Sequence, residues 1–154
     1  MDIHSGKKYP SSALSNFSPH PFVVDEIECS SFEGFIQSLK FKNPEMQAHI
    51  CTLVGKAAKS SGAKKNWQRT QTLWWKGEAI KRDSDEYQEL LDRAFEALSK
   101  NNGFRKALIA SGDATLTHSI GNKKENETVL TVREFCGRLM RIREEIKEKI
   151  EKEK

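Results

Sequence analysis

The sequence predicts an α+β domain in which helix dominates, compact and single, with a small β element near its amino terminus. Three observations carry this. The first 30 residues hold three of the four prolines (Pro10, Pro19, Pro21) and several serines, a composition that disfavours helix and suits short strands joined by turns. From Ser31 onward the apolar spacing changes to helical period. Two later apolar runs are each preceded by a capping-box pattern.

Taken in order, Pro21-Phe22-Val23-Val24 followed by Ile27 reads as strand, turn, strand. Phe32, Phe35, Ile36 and Leu39 then share one helix face, and Pro44 ends that segment. Asn43-Pro44 supplies a cap and a first-turn proline for a second helix, with Ile50, Leu53, Val54 and Ala57 as its buried stripe up to Ser60-Ser61-Gly62. Lys56 to Arg82 has no clean stripe and suits an irregular or hairpin-like segment; it holds eight lysines and arginines against one acid, with all three tryptophans inside it.

Asp83, with Glu86 three residues on, opens the clearest helix, whose stripe runs from Tyr87 through Leu90, Leu91, Ala94 and Phe95 to Leu98. Asn101-Asn102-Gly103 stops it, and a shorter helix spans about Phe104 to Ala110. Thr115 to Ser119 reads as a strand. Thr131 and Glu134 form the capping box of the last helix, whose stripe is Phe135, Leu139, Ile142 and Ile146. Residues 147–154 alternate Lys and Glu and are expected to fray.

A chain of 154 residues fits one domain over residues 1–154. The net charge of +4 is too mild to indicate nucleic-acid binding by itself. Cys29, Cys51 and Cys136 are odd in number and widely spaced, which argues against a disulfide framework or a zinc site. No apolar run approaches a bilayer span, and no signal core opens the chain, so a cytoplasmic location and no membrane partner are expected. There is no phosphate-binding Walker loop, no dinucleotide fingerprint and no Gly-x-Ser-x-Gly elbow; no cofactor is expected.

The segment Glu33 to Lys40 carries the chemistry. At about 100° per residue, Glu33, Gln37 and Lys40 fall within an arc of about 60° beside the Phe32/Ile36/Leu39 face. An acid, an amide and an amine at the edge of an apolar surface suit a cleft lined by one helix. The same spacing also fits a solvated flank with a Glu–Lys contact, and periodicity does not decide between them.

Leu14-Ser15-Asn16-Phe17-Ser18, followed by Ser31-Phe32-Glu33-Gly34-Phe35-Ile36-Gln37-Ser38-Leu39-Lys40-Phe41, resembles the opening signature of the NADAR (YbiA-like) family. That signature is a Ser-Asn-Phe strand and a helix with a Glu-His-x-Tyr-Gln-x-x-Lys pattern. Gly55-Lys56 resembles the family's Gly-Arg pair, Asn66-Trp67 its Asp/Asn-Trp pair, and Arg138 to Glu144 its closing Leu-Met-x-Val-Arg-Glu helix. The likeness spans about residues 13–146. The chain departs from the pattern at Gly34, where the family has His, and at His118, where an acid is usual. The family's following Asp and Trp-Gly are replaced by residues 122–126, and a stretch around Leu73 to Arg82 reads as inserted.

The resemblance implies a hydrolase of C1–N glycosidic bonds in phosphorylated ribosides. Known family activities act on ribosylaminopyrimidine phosphates, early riboflavin intermediates, and on ADP-ribose attached to guanine in nucleic acid. The implied partner is thus a phosphorylated ribosyl or ADP-ribosyl small molecule, with ADP-ribosylated nucleic acid as a further candidate. Carried over, Glu33 and Trp67 fall on active-site positions, and Asn16, Gln37 and Lys40 on signature positions that frame the site; Ser15 and Phe17 flank Asn16.

Chemically, a carboxylate at Glu33 would stabilise an oxocarbenium-like state or activate water. Lys40 suits either a Schiff base with the opened sugar or a phosphate partner. Lys56, Arg69 and the other cations of their segment suit phosphate, with Trp67 stacking on a base or ribose. His118 and Ser119 are candidate polar contacts. Two other readings stay open: a module that binds ADP-ribose or a nucleotide without cleaving it, and a single-stranded nucleic-acid binder using the basic tryptophan segment. Oligomeric state is not legible.

Overall fold

A computed structural model describes residues 1–119 and 123–153; position 122, where the departure from the family's Asp and Trp-Gly begins, lies outside the described residues. Among the described residues, seven α-helices and two small antiparallel hairpins surround one apolar core. The expected β element is present as β1 (Phe22–Val24) and β2 (Ile27–Cys29), paired Phe22 to Cys29 and Val24 to Ile27. A one-turn helix, α1 (Ser11–Leu14), precedes it, in a stretch whose composition predicts only strands and turns.

The central element is α2 (Phe32–Ser38). Ser31 caps it by accepting the Gly34 amide at 3.1 Å, and every residue of the helix is buried. Phe32 packs on Phe95 with ring centres 4.3 Å apart, and Phe35 meets Trp75 edge-on at 5.3 Å. Gly34 faces the chain that follows the next helix. A Cβ there would lie 2.7 Å from the Leu53 carbonyl oxygen and 2.9 Å from that of Ile50, so the family's histidine does not fit this backbone.

Where the sequence predicts one helix there are two, α3 (Pro44–Cys51) and α4 (Gly55–Ser61). Asn43 accepts the Met46 amide at 3.0 Å, as its position before Pro44 predicts. Gly55 adopts a left-handed φ of 56°, which breaks the helix and resets its phase. The expected stripe is corrected accordingly: Ile50 and Ala58 are buried, whereas Val54 and Ala57 are exposed and Leu53 is half-buried.

The basic segment Lys56 to Arg82, beyond its opening helix, forms a 3-10 turn (Trp67–Arg69) and a hairpin of β3 (Thr72–Trp75) with β4 (Glu78–Lys81). Trp75 points into the core while Trp74, on the opposite face, is only half-buried, as alternation requires. The Trp74 amide bonds the Leu39 carbonyl at 2.8 Å, and buried Gln47 donates to the Ser38 and Trp74 carbonyls while accepting the Lys76 amide. This knot fixes the hairpin to the end of α2.

In α5 (Asp85–Ser99) the whole predicted stripe is buried. Its cap is Ser84, which accepts the Tyr87 amide at 3.2 Å; the expected Asp83/Glu86 box is one residue out of register. Asn101 caps α6 (Asn102–Ala110) rather than only ending α5. The capping box of α7 (Val132–Lys152) forms as predicted, and the stripe Phe135, Leu139, Ile142, Ile146 is buried. The helix extends past Ile146 to Lys152; Lys147 bonds the Gly112 carbonyl at 2.8 Å and pairs with Asp113. Thr115 to Ser119 is no strand. Only a parallel bridge between Asp2 and Thr117 forms, which leaves the Met1–Ile3 segment lying along it.

Asp25, in the β1–β2 turn, ties the two hairpins to α5. Its carboxylate accepts from the Trp75 indole at 2.8 Å and from the Arg93 guanidinium at 2.9 Å. The Arg93 hydrogen bonds outweigh partial burial and hold this carboxyl below its usual 3.8. A depressed folded-state value contributes stability that is present above the unfolded value and is lost as pH falls through the folded one. Asp25→Asn is therefore expected to lower Tm at pH 6, with wild type and variant converging as the pH falls through the depressed folded value; melting curves against pH check this.

All three cysteines are buried and unpaired. Burial pushes the Cys136 thiol up to about 11, which leaves it protonated at neutral pH. Among the described residues, no helix is long and apolar enough to cross a membrane, and no group of three or more His, Cys, Asp or Glu is placed to hold a metal.

Candidate active site

One flank of α2 opens into a cleft of about 390 Å³, within the range of small-molecule sites. Glu33, Gln37 and Lys40 all line it, on the arc the helical spacing defines, with the Trp67 indole beside them. Glu33 and Gln37 are 9% and 8% exposed. Burial in a folded protein of a carboxylate without a cationic partner at bonding distance is costly, and the chain spends that cost here.

The local geometry is set by neighbours on both sides. The Glu33 amide bonds the Asn16 carbonyl at 3.0 Å, so the Ser15-Asn16-Phe17 turn covers the start of α2 and brings all three residues to the cleft. The Gln37 amide nitrogen donates to Glu33 Oε1 at 3.2 Å. That contact occupies one carboxylate oxygen and leaves Oε2 for a ligand. Gln37 Oε1 has no hydrogen-bond partner and sits against Gly62, where a Cβ would approach it to 2.1 Å. Lys40 Nζ reaches the Gly62 carbonyl at 3.4 Å. Gly62→Ala is thus expected to displace Gln37 and Lys40 together. A crystal structure of the variant should find both side chains moved from the cleft positions of wild type, with the fold retained by circular dichroism.

His118 belongs to the cleft through the amino-terminal segment. Its Nδ1 lies 2.7 Å from the Ile3 carbonyl oxygen, which can only accept, so Nδ1 carries the hydrogen and Nε2 remains available. Phe135 supports the ring edge-on at 5.7 Å. The opposite wall is residues 127–131, held from behind by Arg82 and Tyr87: Arg82 Nε bonds the Thr128 carbonyl at 2.9 Å and the Tyr87 hydroxyl bonds the Val129 carbonyl at 2.5 Å.

The electrostatics are of opposed charges partly removed from water. Burial pushes the Glu33 carboxyl above its ordinary 4.5, against the lowering effects of the Gln37 hydrogen bond and of Lys59, Lys40 and His118. Burial likewise draws the Lys40 ammonium below its ordinary 10.5, with Glu33 opposing and Lys123 assisting. A carboxyl so perturbed, in a cleft, beside specific charges, marks a candidate acid–base group. Lys59 and Lys123 add two cations to the rim, so an anionic ligand is favoured over a cationic one.

Of the residues singled out from sequence, Ser15, Asn16, Phe17, Glu33, Gln37, Lys40, Trp67 and His118 meet in this cleft. Lys56, Arg69 and Ser119 do not line it. Lys56 and Arg69 are exposed outside, and Ser119 donates both its amide and its hydroxyl to Asp2 at 2.8 Å. The sequence does not single out Lys123, His4 or the 127–131 wall, and it offers Lys59 only as one of the cations of the Lys56–Arg82 segment. Lys59 stands one turn beyond Lys56, and the phase of α4 was the missing signal.

The fold defines the class. The chain superimposes on the NMR structure of the E. coli protein YbiA with a TM-score of 0.64, over 99% of this chain and 86% of that one, at 18% identity. The fold is YbiA-like, as the resemblance implied. Within that class, the chain belongs to the bacteriophage protein GP30.3 family, whose profile matches residues 8–144. It is 41% identical over 151 residues to the 17.1 kDa protein of the Gp30-rIII intergenic region of Enterobacteria phage T4, covering 95% of this chain and 98% of that one.

Proposed function

We propose that this protein is an N-glycosidase that hydrolyses the C1–N bond of a phosphorylated ribose, with Glu33 as its catalytic carboxylate. The observation that carries the proposal is a buried acid in a cleft whose other charged side chains are mostly cations. Ribosylaminopyrimidine phosphates and ADP-ribosyl-guanine are the two substrate types that the resemblance of its motifs to the NADAR family implies.

The chemistry follows from the residues. As the C1–N bond lengthens, positive charge grows on the ribose ring, and an ionised Glu33 stabilises it. Glu33 Oε2 takes a proton from the attacking water, whose oxygen bonds C1 as the C1–N electron pair leaves on nitrogen; the Glu33 carboxyl then gives that proton to the departing nitrogen and returns to carboxylate. Gln37 fixes the carboxylate orientation. Lys40 and Lys59 hold the phosphate, and the Trp67 indole packs on the base or the ribose. A ring-opened substrate offers Lys40 a second role as an imine former; borohydride reduction during turnover leaves an adduct on Lys40 by that route and none by the phosphate-holding route.

A second reading has its own observation. His118 stands where the family carries an acid, and a site lacking that acid suits a module that binds ADP-ribose or a nucleotide without cleaving it. Incubation with ribosylaminopyrimidine phosphate, ADP-ribosylated DNA, NAD and ADP-ribose, followed by mass spectrometry, separates the two. The glycosidase reading predicts free aminopyrimidine and sugar phosphate from the first, or free ADP-ribose and unmodified guanine in the strand from the second. Thermal stabilisation by ADP-ribose with every substrate intact would assign the binder instead.

A further inference from the structure

Residues 40–76 carry eight lysines and arginines against one acid, Glu45, while the rest of the chain carries eighteen against twenty-one. The entire positive excess of the protein therefore belongs to one segment. Elsewhere many cations are matched, as in Arg93 with Asp25, Arg138 with Asp92 and Lys147 with Asp113. Lys42, Lys56, Lys64, Lys65 and Arg69 are all exposed, and none has a carboxylate within ion-pair distance among the described residues.

These cations alternate with aromatic rings. Lys65 Nζ lies 4.7 Å from the centre of the Phe41 ring, and Lys42 Nζ lies 5.2 Å from that of Trp74. Phe41, Lys42, Met46 and Lys65 line an open groove of about 660 Å³, separate from the cleft. The two are neighbours across the turn at residues 62–65: Gly62 touches Gln37 and Lys40 on the cleft side, and the Lys65 amide bonds the Gly62 carbonyl at 3.2 Å.

We propose that this face, from α4 through the 62–65 turn to Phe41, Lys42 and Trp74, binds a single-stranded polynucleotide. Unpaired lysines and Arg69 track the phosphates, and the two rings offer stacking surface to unpaired bases. A base displaces each lysine from its ring onto the adjoining phosphate, so the cation–ring contacts of the free protein become stacking plus ion pairing. Duplex ends its bases inside the helix and cannot use the rings. The proposal stands on charge and aromatic placement alone and does not depend on any reaction in the cleft.

Fluorescence anisotropy with a labelled oligothymidylate of about fifteen nucleotides tests it. The expected result is binding whose log K falls with log salt at a slope of about −3, as for four or five neutralised phosphates on a single strand. The double variant Lys64→Glu/Lys65→Glu should weaken binding by more than about tenfold, and Phe41→Leu by about fivefold. Lys100→Glu/Lys106→Glu, the same charge change on another face, should have a much smaller effect. The proposal is overturned if the oligonucleotide fails to bind at low salt, if both double variants weaken it equally, if duplex DNA binds as well as the single strand, or if phosphatidylserine vesicles bind and the oligonucleotide does not.

Discussion

Replacing Glu33 with Gln is expected to reduce turnover by about 10³-fold, the scale of losing a general base, while Tm at pH 7 stays level or rises. The two halves of this result come from one fact. Glu33 is buried, and burial raises its carboxyl above the ordinary 4.5. A folded-state value above the unfolded one means that the folded protein prefers the proton; stability is greatest below 4.5 and is lost as pH climbs through the folded value. Gln removes that cost, and its side-chain oxygen still accepts from Gln37. The Tm difference between variant and wild type should therefore widen from pH 4 to pH 7. Activity of the wild type should have an acid limb displaced upward from 4.5, because the carboxylate form is the working one. Parallel melts and initial rates check both. A variant that loses activity only because it unfolds would make Glu33 a structural residue.

Arg82→Met is expected to have the largest effect on folding. The Arg82 side chain is fully buried, and its guanidinium bonds the Glu134 carboxylate at 2.6 and 3.1 Å. Burial raises the Glu134 carboxyl, but Arg82, Gln88 and the Thr131 amide together overcome this and leave it lowered. Removing one member of a buried pair strands the other, at a cost of about 3–5 kcal/mol. For a chain of this size that is a fall in Tm of about 10 °C or more. Arg82 also carries the Thr128 carbonyl, so the cleft wall should loosen with it. Glu134→Gln alone should destabilise as well. The double variant should lose less than the sum, since no isolated charge remains buried; strict additivity in a thermal or urea double-mutant cycle would mean that the two charges do not support each other.

Local signals account for the elements that were legible in advance. The stripes of α5 and α7 are long, and each lies behind a polar residue that caps it, so period and punctuation agree. Where two neighbouring residues can both cap, as at Asp83 and Ser84, only the backbone decides which hydroxyl or carboxylate meets the third amide. The break between α3 and α4 turns on a single positive φ at Gly55, and the resulting change of phase moves Lys59, instead of Lys56, to the cleft.

The arc of Glu33, Gln37 and Lys40 was legible from helical geometry, but whether it faced solvent or a cavity was not. The wall that covers it comes from residues 127–131, about a hundred positions away, and is held by Arg82, which directly follows β4. Pairing across 52 residues, as between Arg82 and Glu134, leaves no mark in sequence spacing. His118 reaches the cleft only because the first three residues form a bridge to Thr117. Long-range partners of this kind are decided by tertiary packing, and neither period nor propensity reports them.

The most direct measurement is a crystal structure of the Glu33→Gln variant soaked with ribose 5-phosphate. The cleft chemistry described above predicts the anomeric carbon within about 3.5 Å of the side chain at position 33, the phosphate against Lys40 or Lys59, and the Trp67 indole over the sugar. A sugar phosphate bound elsewhere on the surface, with this cleft empty at saturating ligand, would contradict it.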